Sequence, residues 1–513
     1  MYELGFSRIS ETPRRSRRKF IRNLSKVLKK LTIANFRAFG VEQNLEFALP
    51  NGEAGSGLTI LVGPNNAGKT TIIETIAQFF SGDDFEASRV MRRTSGELKI
   101  CATIDDRQKI SRGLGVSDQD QQNRVICAKK IGGGQAVYRV SPNTLNEKID
   151  YIPADRKFED GMSDQFNPKS FKNYGATNRK KRLKLQKQDP TVVAEVKAKA
   201  EGVHSSLSTG NLQNIIQELL ATNGTLQTDK DVGEYVLTFR QKGQDHRLNQ
   251  QGSGVQNVVA IANAFGNRHE LFLFDEPEVS LHPQVQKRIF KFLHAASANK
   301  QIIIATHSPY LLSWSSVRDG KVYRLSQDEF GDAKARTIND DTLGKVEVIV
   351  SKDLKNRKLY DVASRELFFS DEGIVFTEGQ EDVIYIENYL DNDPTAPDIN
   401  MPLFGYGSGG SGNISYWLKM AQELSIRACG LFDSDENAHV ASAKQQFKED
   451  ESIEIFQINQ PDIRDKFKTD DKGKKLKPHE IKKLGVFEEN GAIKPENKAS
   501  LDAVLHKITK HLH

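Results

Sequence analysis

Short apolar runs, each followed by a turn and a helix-like segment, recur along the chain. The runs at 58–62, 271–274 and 302–305 contain almost no polar residues, which is typical of strands buried on both faces of a parallel sheet. Two similar runs follow, at 373–377 and 428–432. Alternating patterns at 31–39 and 44–47 predict two further strands joined by a turn. The pattern therefore predicts an α/β protein with two separate parallel sheets.

Weaker patterns predict the remaining elements. They indicate a strand at 97–105, a hairpin at 125–140 around Gly132, Gly133 and Gly134, and helices within 189–222 and 258–265. The stretch from 326 to 356 has the composition of a polar connection, and a helix is predicted from 356 to 369.

Length and composition limit the possible classes of protein. A chain of 513 residues is long enough for two or more domains, and a net charge of +5 argues only mildly for an anionic partner. No apolar run approaches the roughly 18 residues of a membrane helix. The N-terminal 1–30 is basic but lacks the apolar segment of a secretory signal. Cys101, Cys127 and Cys429 are scattered, so we expect neither a disulfide framework nor a zinc site, and we expect a cytoplasmic protein.

A glycine-bounded loop of the form G-x-x-x-x-G-K-[ST] follows the run at 58–62. Such a loop turns its backbone N–H groups around a phosphate, its lysine reaches the β- and γ-phosphates, and its first hydroxyl can coordinate Mg²⁺. The candidate ATP-binding residues here are Gly63, Asn65, Asn66, Ala67, Gly68, Lys69, Thr70 and Thr71. A glycine turn with an accidental lysine is disfavoured, because the strand, the helix and three downstream motifs are all present.

Those three motifs lie at 251–257, 275–276 and 307. Ser253 and Gly254 form a small-residue turn at a helix start, suited to the γ-phosphate side of a nucleotide. Asp275 ends a buried strand and is a candidate Mg²⁺ ligand, and Glu276 is a candidate to polarise the attacking water. His307 ends the next strand and can hydrogen-bond the γ-phosphate. Helix capping by the two acids, or a structural role for the histidine, is the alternative interpretation.

Acidic residues also end the two later apolar runs. Glu378 and Asp382 form an E-G-x-x-D motif after the first run, and Asp433 and Asp435 form D-x-D after the second. Between the two motifs lie a strand and turn at 402–407 and a glycine-rich loop at 408–412. Carboxylates that converge on one sheet edge repel each other unless a divalent metal neutralises them, and oxygen donors suit Mg²⁺ or Mn²⁺. A second metal nearby would allow phosphodiester cleavage. Capping of the following helices is again the alternative.

Taken together, the motifs between 31 and 325 resemble those of the ABC-type ATPases in the SMC and recombination-repair branch. The resemblance implies a P-loop ATPase that binds ATP between two subunits, and hence a homodimer. The signature departs from L-S-G-G-Q, since it reads G-S-G-V-Q at 252–256. The glutamine loop is open between Gln78 and the segment 151–156.

The second set of motifs resembles the Toprim domain, and an ABC ATPase followed by Toprim resembles the OLD (overcoming lysogenization defect) family. That resemblance implies an ATP-regulated, metal-dependent DNA endonuclease of anti-phage defence. It also implies a homodimer or higher oligomer that binds DNA. A second defence protein or an inhibitory nucleic acid is a further expected partner. Basic runs at 169–188 and 464–483 are candidate DNA contacts, although solvated faces are the simpler interpretation for the first. The alternative function is an ATPase scaffold whose Toprim-like domain docks a separate effector.

These interpretations divide the chain into four parts. A basic extension at 1–30 precedes an ATPase domain at 31–325, which carries an insertion at about 105–247. A connector at 326–372 leads to a nuclease-like domain at 373–513.

Overall fold

A computed structural model of the protein describes the larger part of the chain. The residues described are 26–81, 85–86, 99–106, 123–127, 129–131, 137–139, 149–152, 211–231, 234–266, 269–352, 357–370, 373–397, 402–405, 409–464, 485–488 and 491–512. The chain forms two compact units. The first comprises Met1–Leu311, Asp319–Lys321 and Leu325–Ala335, and the second comprises Leu312–Arg318, Val322–Arg324 and Arg336–His513.

Strands account for much of both units. Their bounds are β1 Lys26–Ala34, β2 Gln43–Glu46, β3 Leu58–Val62, β4 Phe85–Glu86, β5 Lys99–Asp106, β6 Asn123–Cys127, β7 Lys129–Ile131, β8 Val137–Arg139, β9 Ile149–Ile152, β10 Thr225–Asp231, β11 Glu234–Gln241, β12 Gln244–Arg247, β13 Leu271–Asp275, β14 Gln301–Ala305, β15 Lys321–Gln327, β16 Ala333–Arg336, β17 Ile374–Phe376, β18 Leu403–Phe404, β19 Ala428–Phe432, β20 Ile453–Gln457, β21 Asp462–Arg464 and β22 Gly485–Phe487.

The α-helices of the described residues follow several of these strands. They are α1 Lys69–Ser81, α2 Asn211–Leu220, α3 Ser253–Gly266, α4 Pro283–Ala296, α5 Trp314–Asp319, α6 Asp340–Lys352, α7 Arg357–Phe369, α8 Gln380–Asn392, α9 Ser411–Glu423, α10 Asn437–Gln446 and α11 Pro495–Leu512. Single 3₁₀ turns occur at Leu248–Gln250 and Pro309–Leu311. None of the helices in this part of the chain combines the length and apolar character of a membrane span.

A six-stranded sheet in the order β16-β15-β3-β14-β13-β9 forms the centre of the first unit. The strands β3, β14, β13 and β9 are parallel, and every residue of β3, β13 and β14 is buried. This explains their unbroken apolar sequence. Because they are parallel, the loops after β3, β13 and β14 emerge at one edge of the sheet.

An antiparallel sheet in the order β2-β1-β5-β6 packs beside it. The buried amide of Gln301, at the start of β14, joins the two sheets. It donates to Leu28 O (2.7 Å) and Ala48 O (3.0 Å) and accepts from Leu28 N (2.8 Å). Such a fully satisfied buried amide fixes the register between two layers that apolar packing alone would leave less defined.

The second unit is built on a four-stranded parallel sheet in the order β18-β17-β19-β20. Its core contains a cluster of aromatic rings centred on Trp417, which is 1% exposed. The ring centroids of Tyr360, Trp314, Phe376 and Phe404 all lie 5.1–6.4 Å from that of Trp417. The chain reverses its direction of winding at β17, which has β18 on one side and β19 on the other, and this is the type of position where parallel sheets bind ligands.

The predicted α/β class with two parallel sheets is confirmed, and every apolar run predicted as a buried strand is one. The helix predicted at 258–265 begins earlier, at Ser253. The expectation of a polar connection at 326–356 is wrong, because this stretch contains β16 and α6. Val346 and Val350 of α6 are buried one turn apart, a sparse pattern that the surrounding polar residues conceal.

The sequence predicts no disulfide framework, and a single disulfide-bonded cysteine does not amount to one. Cys101 is disulfide-bonded, and Cys127 is its register partner on the neighbouring antiparallel strand. Sequence spacing does not reveal such a pair, because the residues meet only once β5 and β6 have formed.

Candidate ATP and metal sites

The phosphate loop joins β3 to α1 at the carboxyl edge of the large sheet. Gly63 has a φ of 144°, and a Cβ there would lie 2.2 Å from Leu325 O, so only glycine fits. Asn66 and Gly68 also have positive φ. The Lys69 ammonium donates to Gly63 O (2.8 Å) and Pro64 O (2.9 Å) and is 4% exposed. The lysine therefore lies inside the curve of the loop, close to the start of α1, where helix N–H groups favour an anion.

Thr70 connects this loop to the acidic strand. Its hydroxyl donates to Asp275 Oδ1 (3.2 Å), and Asp275 is 3% exposed at the end of β13. A hydroxyl and a carboxylate in direct contact are hard oxygen donors of the kind Mg²⁺ prefers. The donor set therefore fits the predicted metal.

Glu276 and His307 face each other from adjacent strands. His307 Nε2 lies 3.3 Å from Glu276 Oε1, and the Glu276 amide donates to Ala305 O (2.8 Å). Burial, together with the positive charge of Lys69, lowers the pKa of the His307 imidazole below its ordinary value of 6.5. The imidazole is consequently neutral near pH 7 and can offer one N–H to a phosphate oxygen.

Ser253 and Gly254 begin α3. A Cβ on Gly254 would lie 2.9 Å from Ser280 O, and Asn257 of the same helix donates to Val279 O. The start of α3 therefore packs closely on the turn that follows Asp275 and Glu276. The predicted role of these two residues, at a nucleotide held by another subunit, stays a prediction.

Sequence reasoning missed Glu278 in this same turn. Its Oε1 accepts from the Thr306 hydroxyl and from the His307 amide, both at 2.7 Å. The only signal in the sequence is a second acid in the run D-E-P-E, which gives no indication of a contact with residues 28 and 29 positions away.

In the second unit, the structure brings Glu378 and Asp433 together. Glu378 follows β17, Asp433 follows β19, and these strands are parallel neighbours. Glu378 Oε1 accepts from the Asp433 amide at 2.8 Å. The predicted meeting of these acids at one sheet edge is thus what the structure contains.

The electrostatics of this edge are unfavourable for two ionised carboxylates. Burial, and then repulsion from Asp382, Glu436 and Asp435, raise the pKa of Glu378 to about 7. Burial, and then repulsion from Glu378 and its acidic neighbours, raise the pKa of Asp433 to about 8. An additional cation is the simplest means of keeping both ionised, and an all-oxygen donor set fits Mg²⁺ or Mn²⁺.

These acids are near one another without forming a closed coordination shell. Within the part of the chain that the structure describes, no three or more His, Cys, Asp or Glu side chains are arranged so that they could hold a metal ion. Asp382 Oδ2 accepts from the Gly379 amide (2.9 Å), so this acid caps α8, as the alternative interpretation expected. Asp435 is exposed. The assignment of metal ligands accordingly stays a prediction.

Asp462 is a further acid at this edge that sequence reasoning missed. It is 5% exposed at the start of β21, and its charge contributes to the raised pKa of Asp433. The loop before it runs along the D-x-D turn, since Gln457 Nε2 donates to Asp433 O and Ser434 N donates to Gln460 O, both at 2.9 Å.

Several predicted contacts lie outside the described residues. These are the N-terminal extension up to residue 25, the basic run at 169–188, the glycines at 132–134, and the basic run at 464–483 except Arg464. Of the two glutamine-loop options, Gln78 is on α1 but its side chain is outside the described set, and only Tyr151 and Ile152 of 151–156 are described.

The sequence is similar to those of known ATPases and nucleases. The sequence profile of the AAA ATPase domain family matches residues 27–111 and 135–312. Endonuclease GajA of Bacillus cereus is 23% identical over 490 residues, covering 71% of each chain. Septu protein PtuA of Bacillus thuringiensis is 24% identical over 314 residues, covering 55% of this chain and 73% of that one. OLD nuclease of Thermus scotoductus is 26% identical over 195 residues, covering 36% of this chain and 35% of that one.

Proposed function

This chain belongs to the AAA ATPase domain family, and we propose that it is an ATP-regulated, divalent-metal-dependent DNA endonuclease of the OLD type that acts in anti-phage defence. The observation that carries the proposal is the pairing of Glu378 with Asp433 at the carboxyl edge of a second parallel sheet. Similarity to proteins named endonuclease GajA and OLD nuclease supports it.

In the ATPase domain, the candidate site residues have different roles. Lys69 and the backbone of the phosphate loop bind the phosphates, and Thr70 with Asp275 would hold Mg²⁺, which withdraws charge from the phosphate oxygens. Glu276 orients the attacking water, and His307 donates to the γ-phosphate. The 3.3 Å separation between His307 Nε2 and Glu276 Oε1 supports a shared substrate for these two groups.

In the second unit, Glu378, Asp433 and Asp435 would hold the divalent metal, with Asp382 as a candidate ligand for a second one. A bound Mg²⁺ or Mn²⁺ would stabilise the developing charge on the phosphodiester oxygens. The Asp433 amide donates to the Glu378 carboxylate and so orients it at this sheet edge. The winding direction of the sheet reverses at β17, and parallel sheets bind ligands at the carboxyl edge of such a position, which supports a ligand site there.

We further propose a homodimer or higher oligomer, DNA as the substrate, and the cytoplasm, where DNA and ATP both occur, as the location. A second defence protein or an inhibitory nucleic acid is a candidate partner. The domain limits 31–325, 326–372 and 373–513 belong to the same proposal.

A second candidate is an ATPase scaffold whose C-terminal unit docks a separate effector. The observation that favours it is that no closed set of metal ligands exists among the described residues. Under this alternative, Asp382 and the other acids cap helices and do not bind a metal.

The two candidates differ in a plasmid nicking assay. Purified protein alone is incubated with supercoiled plasmid and Mg²⁺ or Mn²⁺, with and without ATP. The nuclease proposal expects nicked or linear product that EDTA abolishes, and ATP should change its rate. No product under any metal and nucleotide condition, together with measurable ATP hydrolysis, would favour the scaffold.

A further inference from the structure

The turn at 276–281, which follows β13, is held in an unusual backbone conformation. Glu276 has a φ of 47° and Ser280 a φ of 62°, although neither residue is glycine. Such conformations persist only where surrounding contacts stabilise them, and they cluster at functional sites. One such contact comes from Asn257, which donates to Val279 O.

A second contact of this turn is made by the Glu278 side chain. Glu278 Oε1 accepts two hydrogen bonds of 2.7 Å, from the Thr306 hydroxyl and from the His307 amide. Thr306 is fully buried, and its Oγ1 in turn accepts from the Ser308 amide at 2.9 Å. Glu278 therefore holds both the Thr306 side chain and the backbone amide of His307 at the end of β14.

The other oxygen of the same carboxyl has no such partner. Glu278 Oε2 is buried and makes no hydrogen bond to any of the described residues, and burial raises the pKa of this side chain above its ordinary value. A buried polar atom without a partner destabilises a fold. A glutamate that only filled space here would destabilise the fold through its buried Oε2. Its presence is better explained by a function of the two hydrogen bonds that Oε1 accepts.

We propose that Glu278 is a positioning residue for ATP hydrolysis, because it fixes His307 relative to Glu276. Glu276 is two residues before Glu278 in the same turn, and His307 is held through its backbone amide. The single carboxyl thus sets the distance between the acid that orients water and the histidine that meets the γ-phosphate, which is 3.3 Å here between Nε2 and Oε1. This inference rests on the proposed ATPase activity of the phosphate loop.

Steady-state ATP hydrolysis by the full-length protein tests the proposal. Glu278→Ala should lower kcat about tenfold or more while the KM for ATP stays within about twofold, since the hydrogen bonds of Glu278 go to Thr306 and His307 at the end of β14. Glu278→Gln retains an acceptor oxygen and should restore kcat to within about threefold of the wild type. Removal of the exposed carboxylate in Glu329→Ala serves as the control and should change neither constant.

The other end of the contact gives a second pair of variants. Thr306→Val keeps the shape but removes the donated hydrogen bond, and it should lower kcat, whereas Thr306→Ser should not. If Glu278→Ala and Thr306→Val fold normally and both keep the wild-type kcat, the proposal is overturned. A raised KM with an unchanged kcat would also overturn it, because this indicates a binding role.

Hydrogen exchange separates this inference from the proposed function. The His307 amide should exchange at least about tenfold faster in Glu278→Ala than in the wild type, because its acceptor is lost. If the wild type hydrolyses no ATP, the proposed activity fails, and unchanged exchange at His307 then overturns the positioning role independently. If the His307 amide exchanges faster in Glu278→Ala but the wild type hydrolyses no ATP, the hydrogen bond is confirmed and its role in hydrolysis is refuted.

Discussion

The substitution Asp433→Asn should stabilise the metal-free protein and abolish DNA cleavage at the same time. The asparagine keeps the backbone amide that donates to Glu378, so the local hydrogen bond survives. What it removes is the partly buried carboxylate of Asp433, whose pKa is raised to about 8 by burial and by repulsion from Glu378.

The direction in which stability changes with pH follows from the raised pKa values of Glu378 and Asp433. Both are higher in the folded protein than the ordinary 4.5 of Glu378 and 3.8 of Asp433, so the folded state binds more protons between these limits. The associated stability is fully present below about pH 4 and is lost as the pH rises through about 7 to 8. The wild type without metal should therefore lose stability over this range, and the variant should lose less.

The expected stability difference between the variant and the wild type is modest, because the site is only partly buried. A tenfold change in proton affinity corresponds to about 1.4 kcal/mol, and solvent screening reduces the share of a partly exposed carboxylate. We expect the variant to gain about 1–3 kcal/mol at high pH, less at about pH 5, and close to nothing below about pH 4, where Asp433 is protonated in both the folded and the unfolded states.

Urea denaturation in EDTA at about pH 5 and about pH 8.5 measures the difference. Added Mg²⁺ should stabilise the wild type at the higher pH and the variant much less. Asp435→Asn, at an exposed position two residues along, is the matched control and should have a smaller effect on the metal-free protein. A variant less stable than the wild type at the higher pH would refute the reasoning about charge repulsion.

Three other predictions concern a close approach, nucleotide binding and an ion pair. A Cβ at Gly405 would lie 2.1 Å from Gly379 O, so Gly405→Ala should destabilise the second unit and reduce cleavage. A Cβ at Gly379 would meet no described atom within 4 Å, so Gly379→Ala should be tolerated. Thermal melting compares the two variants. Lys69→Ala should abolish ATP binding in calorimetry, and an unchanged affinity would contradict the phosphate-loop assignment. The Lys498 ammonium lowers the pKa of Asp393 to about 2, so stability that depends on this pair is present above about pH 4 and lost as the pH falls towards 2. An acid titration of Lys498→Met should lack this component, and the same acid transition in both proteins would contradict it.

Local patterns were sufficient to predict the buried parallel strands 58–62, 271–275, 301–305, 374–376 and 428–432, together with the polar residues that follow them. Buried parallel strands have unbroken apolar sequences, and chemical groups follow them immediately, so Asp275, His307 and Asp433 could each be placed at a strand end before the structure was known. The neighbouring positions of β17 and β19 then bring Glu378 to Asp433, as the shared edge predicts.

Contacts between residues distant in sequence could not be predicted in this way. Glu278 acquires its role from Thr306 and His307 only when the turn after β13 packs on the end of β14. Asp462 joins the acidic edge because a loop runs along the D-x-D turn. Neither contact has a sequence period or a fixed spacing, since each depends on tertiary packing.

The central claim is that the carboxylates of the second unit cut DNA and that the phosphate loop controls them. The most direct test measures plasmid cleavage and ATP hydrolysis side by side for the wild type, Asp433→Ala and Lys69→Ala in the presence of Mg²⁺ or Mn²⁺. The account predicts that Asp433→Ala loses cleavage and keeps ATP hydrolysis, while Lys69→Ala loses hydrolysis and the response of cleavage to ATP. Cleavage by Asp433→Ala at the wild-type rate would contradict it.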